Sequence, residues 1–173
     1  MSANTFAPFA DVASYLALPA ARTSTPLGAA LAENLGVRRL AAAPPVRVLS
    51  TSSNGALDVT QLSWGPGYGP ATHAWLIHPT GIDPTTLPGV LALHAHGGVR
   101  SVGAEVLVED GETSVRAQQI RQAHYEGLAP ANDLAARGFT VLVHDAFSGG
   151  SRRLTLTSSQ ANDGAGRVRP DGT

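Results

Sequence analysis

One stretch, Leu87-Pro-Gly-Val-Leu-Ala-Leu-His-Ala-His-Gly-Gly98, constrains this chain more than any other. A Pro-Gly turn opens it and an apolar run of Val90, Leu91, Ala92 and Leu93 follows. His94 and His96 come next at i and i+2, and Gly97-Gly98 closes the stretch. An apolar run of this length between turn signals predicts a buried strand with both faces covered. Paired glycines let the backbone leave such a strand in conformations that a side chain forbids, and let a ligand approach the main chain closely. A core strand ending in a polar, backbone-rich loop matches the ligand-binding end of an open α/β sheet.

The rest of the chain arranges itself around that strand. Residues 11–18 predict a short helix. Residues 27–35 predict a better one, opened by Pro26 and stopped by Gly36. Leu27, Leu31 and Leu35 share one face of it, the pattern of a helix that packs on a sheet. Residues 46–49 read as a short strand, and Asn54-Gly55 is a hairpin signal. Residues 57–64 alternate as a half-buried strand, and residues 72–78 alternate less cleanly as a third. These three are expected to be antiparallel, near a sheet edge.

Residues 99–124 form a long polar and charged segment, of the kind that is functional or covers a site. Ser114 is placed to cap a helix running through residues 118–122. A second helix is expected over 125–137, with Pro130 kinking or restarting it and Gly138 ending it. Residues 139–143, Phe-Thr-Val-Leu-Val, are β-branched and aromatic, and predict a second buried strand. Strand, helical crossover and strand make a βαβ unit with parallel strands. From 155 to 173 the periodicity disappears and a disordered tail is expected. The organisation expected is therefore an N-terminal helical segment over 1–45, a folded unit over 46–154 and the tail.

Composition narrows the classes. Net charge is −1 and all 12 basic residues are arginine, so a nucleic-acid surface is not expected. There is no cysteine, which removes disulfides and thiolate metal sites. No basic stretch followed by an apolar run stands at the N-terminus, and no run is long enough to span a bilayer. The expectation is a soluble, cytoplasmic protein.

Three segments together carry a resemblance. The strand and its Leu-His-Ala-His-Gly-Gly loop come first. A Tyr125-Glu-Gly stretch with Ala131-Asn-Asp-Leu-Ala-Ala-Arg-Gly138 comes second, and Phe139-Thr-Val-Leu-Val-His-Asp-Ala-Phe-Ser-Gly-Gly-Ser-Arg-Arg153 third. Over residues 46–153 the chain resembles the N-terminal half of the α/β-hydrolase fold, in its acetylxylan-esterase and dienelactone-hydrolase-like branch. The resemblance implies a partial α/β-hydrolase fold: a mixed sheet with antiparallel N-terminal strands, a parallel βαβ unit and an incomplete αβα three-layer arrangement. It implies a carboxylic-ester hydrolase working through a serine nucleophile and an acyl-enzyme, with no cofactor, acting on a small-molecule ester. His96, Gly97, Gly98 and Val99 match the loop whose backbone N–H groups form the oxyanion hole.

The chain departs from the family where the reaction happens. It has no Gly-x-Ser-x-Gly; Ser148 and Ser151 follow a strand, but no helix pattern comes after them. The nucleophile, acid and base of the family lie further along, so a truncated chain, inactive alone, is expected. Without the nucleophile strand the strand at 90–95 becomes an open edge. Self-association, or pairing with a partner fragment, is expected there.

Two other functions compete. His94 and His96 share a face and suit a metal-dependent amidohydrolase, with Asp145 as an added ligand. Against it stand the absence of lysine and a length too short for an eightfold barrel. The third function is a non-catalytic remnant or binding module. Tyr125 and Glu126 are expected to shape the pocket, and Arg152-Arg153 to be a solvated pair.

Overall fold

The computed structural model describes residues 42–96 and 98–153. The helices expected over 11–18 and 27–35, and the tail expected over 155–173, lie outside those residues.

Strands β1 (Arg47–Asn54) and β2 (Leu57–Trp64) form a hairpin that turns at Gly55, whose φ of 67° suits glycine. Leu49 is a bulge in β1: Val48 pairs with Leu62 and Ser50 with Gln61. Strand β3 (Thr72–Pro79) runs antiparallel to β2. Strands β4 (Gly89–Ala92) and β5 (Thr140–His144) are parallel to each other, and β5 pairs antiparallel with β3. The sheet order is β1-β2-β3-β5-β4. This is the α/β class expected, with antiparallel strands first and a parallel βαβ unit after them.

Among the described residues the three antiparallel strands form one side of the sheet with β1 at its edge, as expected, and β4 is the other edge, the open edge expected of it. One expectation is corrected. The apolar strand β4 is not covered on both faces. It has one neighbour, and Leu91 and Leu93 are 58% and 68% exposed. Its apolar run matches the half-covered environment of an edge strand that packs only Val90 and Ala92 inward.

The crossover from β4 to β5 carries helices α1 (Val115–His124) and α2 (Pro130–Ala136). Ser114 caps α1 as expected, its hydroxyl accepting from the Ala117 N–H at 3.1 Å. The second helix starts at Pro130 rather than 125, because Glu126 and Gly127 both adopt positive φ and break the chain direction.

Packing follows the pleat. Val59, Ile77, Val141 and Val90 stand in register across four strands on one face. Against them lie Val102, Ala104, Val106, Leu107 and Val108, with Ala117 from α1 and Ala131 and Ala135 from α2. Val59, Ile77, Val108, Val141 and Val143 are fully buried, each contributing roughly 2 kcal/mol of transfer free energy. Residues 102–108 therefore belong to the core. The polar reading of the 99–124 segment missed them, because Gly103 and Glu105 interrupt their pattern.

A buried stretch without regular structure must find partners for its backbone. Arg121, 4% exposed, supplies them from α1. Its Nε donates to Val106 O at 3.1 Å, and its Nη2 donates to Glu105 O at 3.1 Å and to Val108 O. Its Nη1 pairs with the Glu109 carboxylate. Asn132 of α2 adds two bonds: its Oδ1 accepts from the Glu109 N–H at 2.8 Å and its Nδ2 donates to Glu109 O at 2.9 Å.

Arg121→Met should cost about 3 kcal/mol in chemical denaturation, because it orphans buried carbonyls. A loss under about 1 kcal/mol would mean that water replaces the guanidinium without penalty. On the exposed rim, the Ser53 hydroxyl, and then the Thr80 hydroxyl, donate to Asp58 and hold its carboxyl below the ordinary aspartate value of 3.8. The folded carboxylate thus binds its proton less tightly than the unfolded one. Its contribution is complete above 3.8 and is lost as pH falls through the folded value. Asp58→Asn should flatten the acid limb of a stability–pH curve; an unchanged limb would count against this linkage.

Candidate functional site

The loop 96–99 leaves the carboxyl end of β4, at the exposed edge of the sheet. Of its four expected site residues, His96, Gly98 and Val99 are described and Gly97 lies outside the described residues. The Val99 N–H donates to His96 O at 2.7 Å, which closes a four-residue turn. Gly98 takes a φ of 75°, open to glycine and strained for other residues. The Gly98 N–H donates to Nδ1 of the His96 ring at 2.9 Å. Both amide hydrogens are therefore engaged within the turn, and the His96 ring covers one of them.

Beneath the turn is a cavity of about 250 Å³. Val99, Val102, Val106 and Ile120 give it apolar walls, and His96 and Tyr125 border it. The expected part for Tyr125 in shaping a pocket fits this position. Glu126 lines a separate, more open groove beside α2.

A second cavity, of about 210 Å³, lies beside the loop, between His94, His96, Arg100, Phe147, Ser148 and Gly149. The Ala146 N–H donates to His94 Nε2 at 3.0 Å, and His94 Nδ1 lies 3.1 Å from Ala95 O. That pattern puts the ring proton on Nδ1 and occupies both nitrogens. His94 thus has no free lone pair for a cation, and the His94–His96 metal pair has only His96 Nε2 left to offer. Asp145 does not join them. Among the described residues no three side chains of metal-binding type converge.

Asp145, 3% exposed, is instead the acceptor that ties the loop after β5 to the Ala104 turn. Its Oδ1 accepts from the Ala104 N–H at 2.8 Å and its Oδ2 from the Ser151 N–H at 2.8 Å. Gly103 and Gly150 sit so close that a Cβ on Gly103 would fall 2.0 Å from the Asp145 carboxylate. That contact closes the packing between residues 103–104 and the loop after β5.

Neither serine after β5 stands at a strand-to-helix elbow. Ser148 has a φ of 66° and accepts from Arg100 Nη1, so the 99–124 segment and the loop after β5 are joined at the second cavity. The chain then enters the 3₁₀ turn Gly150–Arg152. Sequence reading missed the Arg100–Ser148 contact, which spans 48 residues and has no local signal. Of the expected solvated arginine pair, Arg153 is exposed and Arg152 is not. Arg152 is 5% exposed, lies over the rings of Tyr68 and Phe147, and donates to Tyr68 O at 3.2 Å.

Among the described residues no helix is long and apolar enough to cross a membrane. No family model and no curated protein matches the chain. Among solved structures, a provisionally described acetyl xylan esterase from Bacteroides fragilis NCTC 9343 aligns at 14% identity and a TM-score of 0.48. That alignment covers 71% of this chain and 29% of the other. The acetyl xylan esterase from Paenibacillus sp. R4 aligns at 15% identity and a TM-score of 0.34, over 62% of this chain and 26% of its own. The chain spans less than a third of the length of either protein. At this distance the chemistry of the site has to come from its own residues.

Asp145→Asn should destabilise the fold by about 2 kcal/mol, because its amide would turn a donor toward one of the two buried N–H groups. Gly103→Ala should disturb the same contact by collision. If both variants melt with the parent protein, Asp145 is not what joins the Ala104 turn to the loop after β5.

Proposed function

We propose that this chain carries part of the acyl-transfer site of a carboxylic-ester hydrolase with a serine nucleophile, and that its part is the oxyanion loop His96, Gly97, Gly98 and Val99. One observation carries the proposal: a glycine turn stands at the carboxyl end of a parallel strand, above an apolar cavity, with the Gly98 amide covered by a single side chain. Acyl transfer turns a carbonyl oxygen into an anion, and donors fixed before that moment avoid the cost of reorganising. Losing one such donor costs about 3 kcal/mol of transition-state stabilisation in a well-studied protease.

In the turn as it stands, the His96 ring occupies the Gly98 N–H. A substrate oxygen binding there has to displace His96 Nδ1, and rotation of that one side chain is enough to expose the donor. The cavity under Val99 then takes the acyl chain. The reaction also needs a serine, a histidine base and an acid to orient it. The described residues bring together no such triad, and the sequence has no Gly-x-Ser-x-Gly. The free edge of β4 is where a further parallel strand bearing the nucleophile would add. A partner fragment bound at that edge would complete the site, and the chain alone is inactive. The substrate is a small ester.

Titration of ¹⁵N-labelled chain with methylphosphonate, a tetrahedral oxyanion, tests the loop directly. Downfield amide-proton shifts concentrated on residues 96–99 are expected. Shifts confined to arginine side chains, or none at all, would assign the loop to a non-catalytic remnant. A short nitrophenyl ester should be hydrolysed no faster than in buffer. A burst of nitrophenolate stoichiometric with protein would put a nucleophile inside this chain and overturn the division of labour proposed.

A further inference from the structure

Two hollows meet at the end of α1. One is the cavity of about 250 Å³ under loop 96–99, with its apolar walls of Val99, Val102, Val106 and Ile120. The other is the open groove beside α2, of about 520 Å³, whose apolar lining is Leu128, Pro130 and Leu134. His124 and Tyr125 line both. His124 is exposed, whereas Tyr125 is half-buried and packs against the core cluster. The Tyr125 side chain is therefore the inner partition between the two hollows. Its backbone is bonded on either side: the Tyr125 N–H donates to Arg121 O, and Tyr125 O accepts from the Leu128 N–H, both at 2.8 Å.

We propose that Tyr125 is a specificity-determining residue, whose ring closes the acyl cavity toward the groove and so sets the longest acyl chain the site accepts. What the chain belongs to rests on the acyl-transfer proposal; the closed end of the cavity does not. An apolar cavity of about 150 Å³ takes a benzene ring, so this larger one takes a saturated chain of roughly eight carbons with its polar head. The substrate class that follows is an ester of a straight, saturated acid of medium length. An acetyl group fills a small part of the cavity. Each further methylene that enters it should tighten binding about fourfold. A longer chain meets the Tyr125 ring, and with the ring removed it runs on over Leu128 and Leu134.

Straight-chain alcohols from 1-butanol to 1-decanol test this on the whole chain, read from the methyl NMR signals of Val102, Val106 and Ile120. In the parent protein, affinity should rise about fourfold per methylene and then level off, gaining less than twofold between octanol and decanol. In Tyr125→Ala that last interval should gain at least tenfold. Tyr125→Phe, which keeps the ring, should level off with the parent. A second measurement needs no variant. Nuclear Overhauser contacts from the terminal methyl of bound octanol should fall on the Tyr125 ring. Levelling at one length in the parent and in Tyr125→Ala, or affinity that ignores chain length, would overturn the proposal. So would terminal-methyl contacts confined to Phe147, which would put the chain in the second cavity. The alcohols carry no anion, so their result is independent of the methylphosphonate titration. Alcohols that bind with the expected limit, while methylphosphonate leaves residues 96–99 unmoved, would keep the Tyr125 partition and remove the acyl-transfer reading.

Discussion

The structure depends on how a buried but irregular backbone is satisfied. Residues 102–113 pass under the sheet without forming a helix or strand long enough to bond themselves, yet Val102, Ala104, Val106, Leu107 and Val108 are buried. Unpaired carbonyls and amides there would cost more than the apolar burial returns. Arg121 answers the carbonyls, Asp145 answers the Ala104 amide and ties it to the Ser151 amide after β5, and Asn132 offers one group of each kind. Of these, Arg121 and Asp145 are charged groups inside the core, tolerated because their bonds replace those that water would have made.

That network determines what loop 96–99 rests on. The apolar cavity below the turn is walled by Val102 and Val106, which Arg121 and Asp145 hold in place. Across the loop, Arg100 ties the same segment to Ser148 after β5. The loop therefore sits on packed core, with the His96 ring over the Gly98 amide. Its position is at an open strand edge among the described residues. Whatever pairs with β4 comes to lie beside the turn.

Much of this is legible in the sequence. Asn54-Gly55 places the first hairpin because a tight two-strand turn needs positive φ. The β-branched run at 139–143 and the apolar run at 90–93 mark the parallel pair, and Ser114 marks the start of α1. The same pattern places the loop of the candidate site at a strand's carboxyl end. What stays hidden is set by distant partners. The resemblance predicts the open edge at β4, but the apolar run itself reads as covered on both faces, so the exposure of Leu91 could not be seen. Val102 to Val108 look like loop because a chain bent through a 3₁₀ turn has neither strand nor helix period. Arg121 and Arg152 look solvated because nothing local shows which carbonyls or rings will meet them.

Amide hydrogen exchange followed residue by residue tests the central claim most directly, that the segment under the loop is part of the cooperative core. The N–H groups of Ala104 and Glu109, bonded to the side chains of Asp145 and Asn132, should exchange within about tenfold of Val141 and Val143 on β5. Exchange at the rate of an open loop, while β5 stays protected, would contradict it.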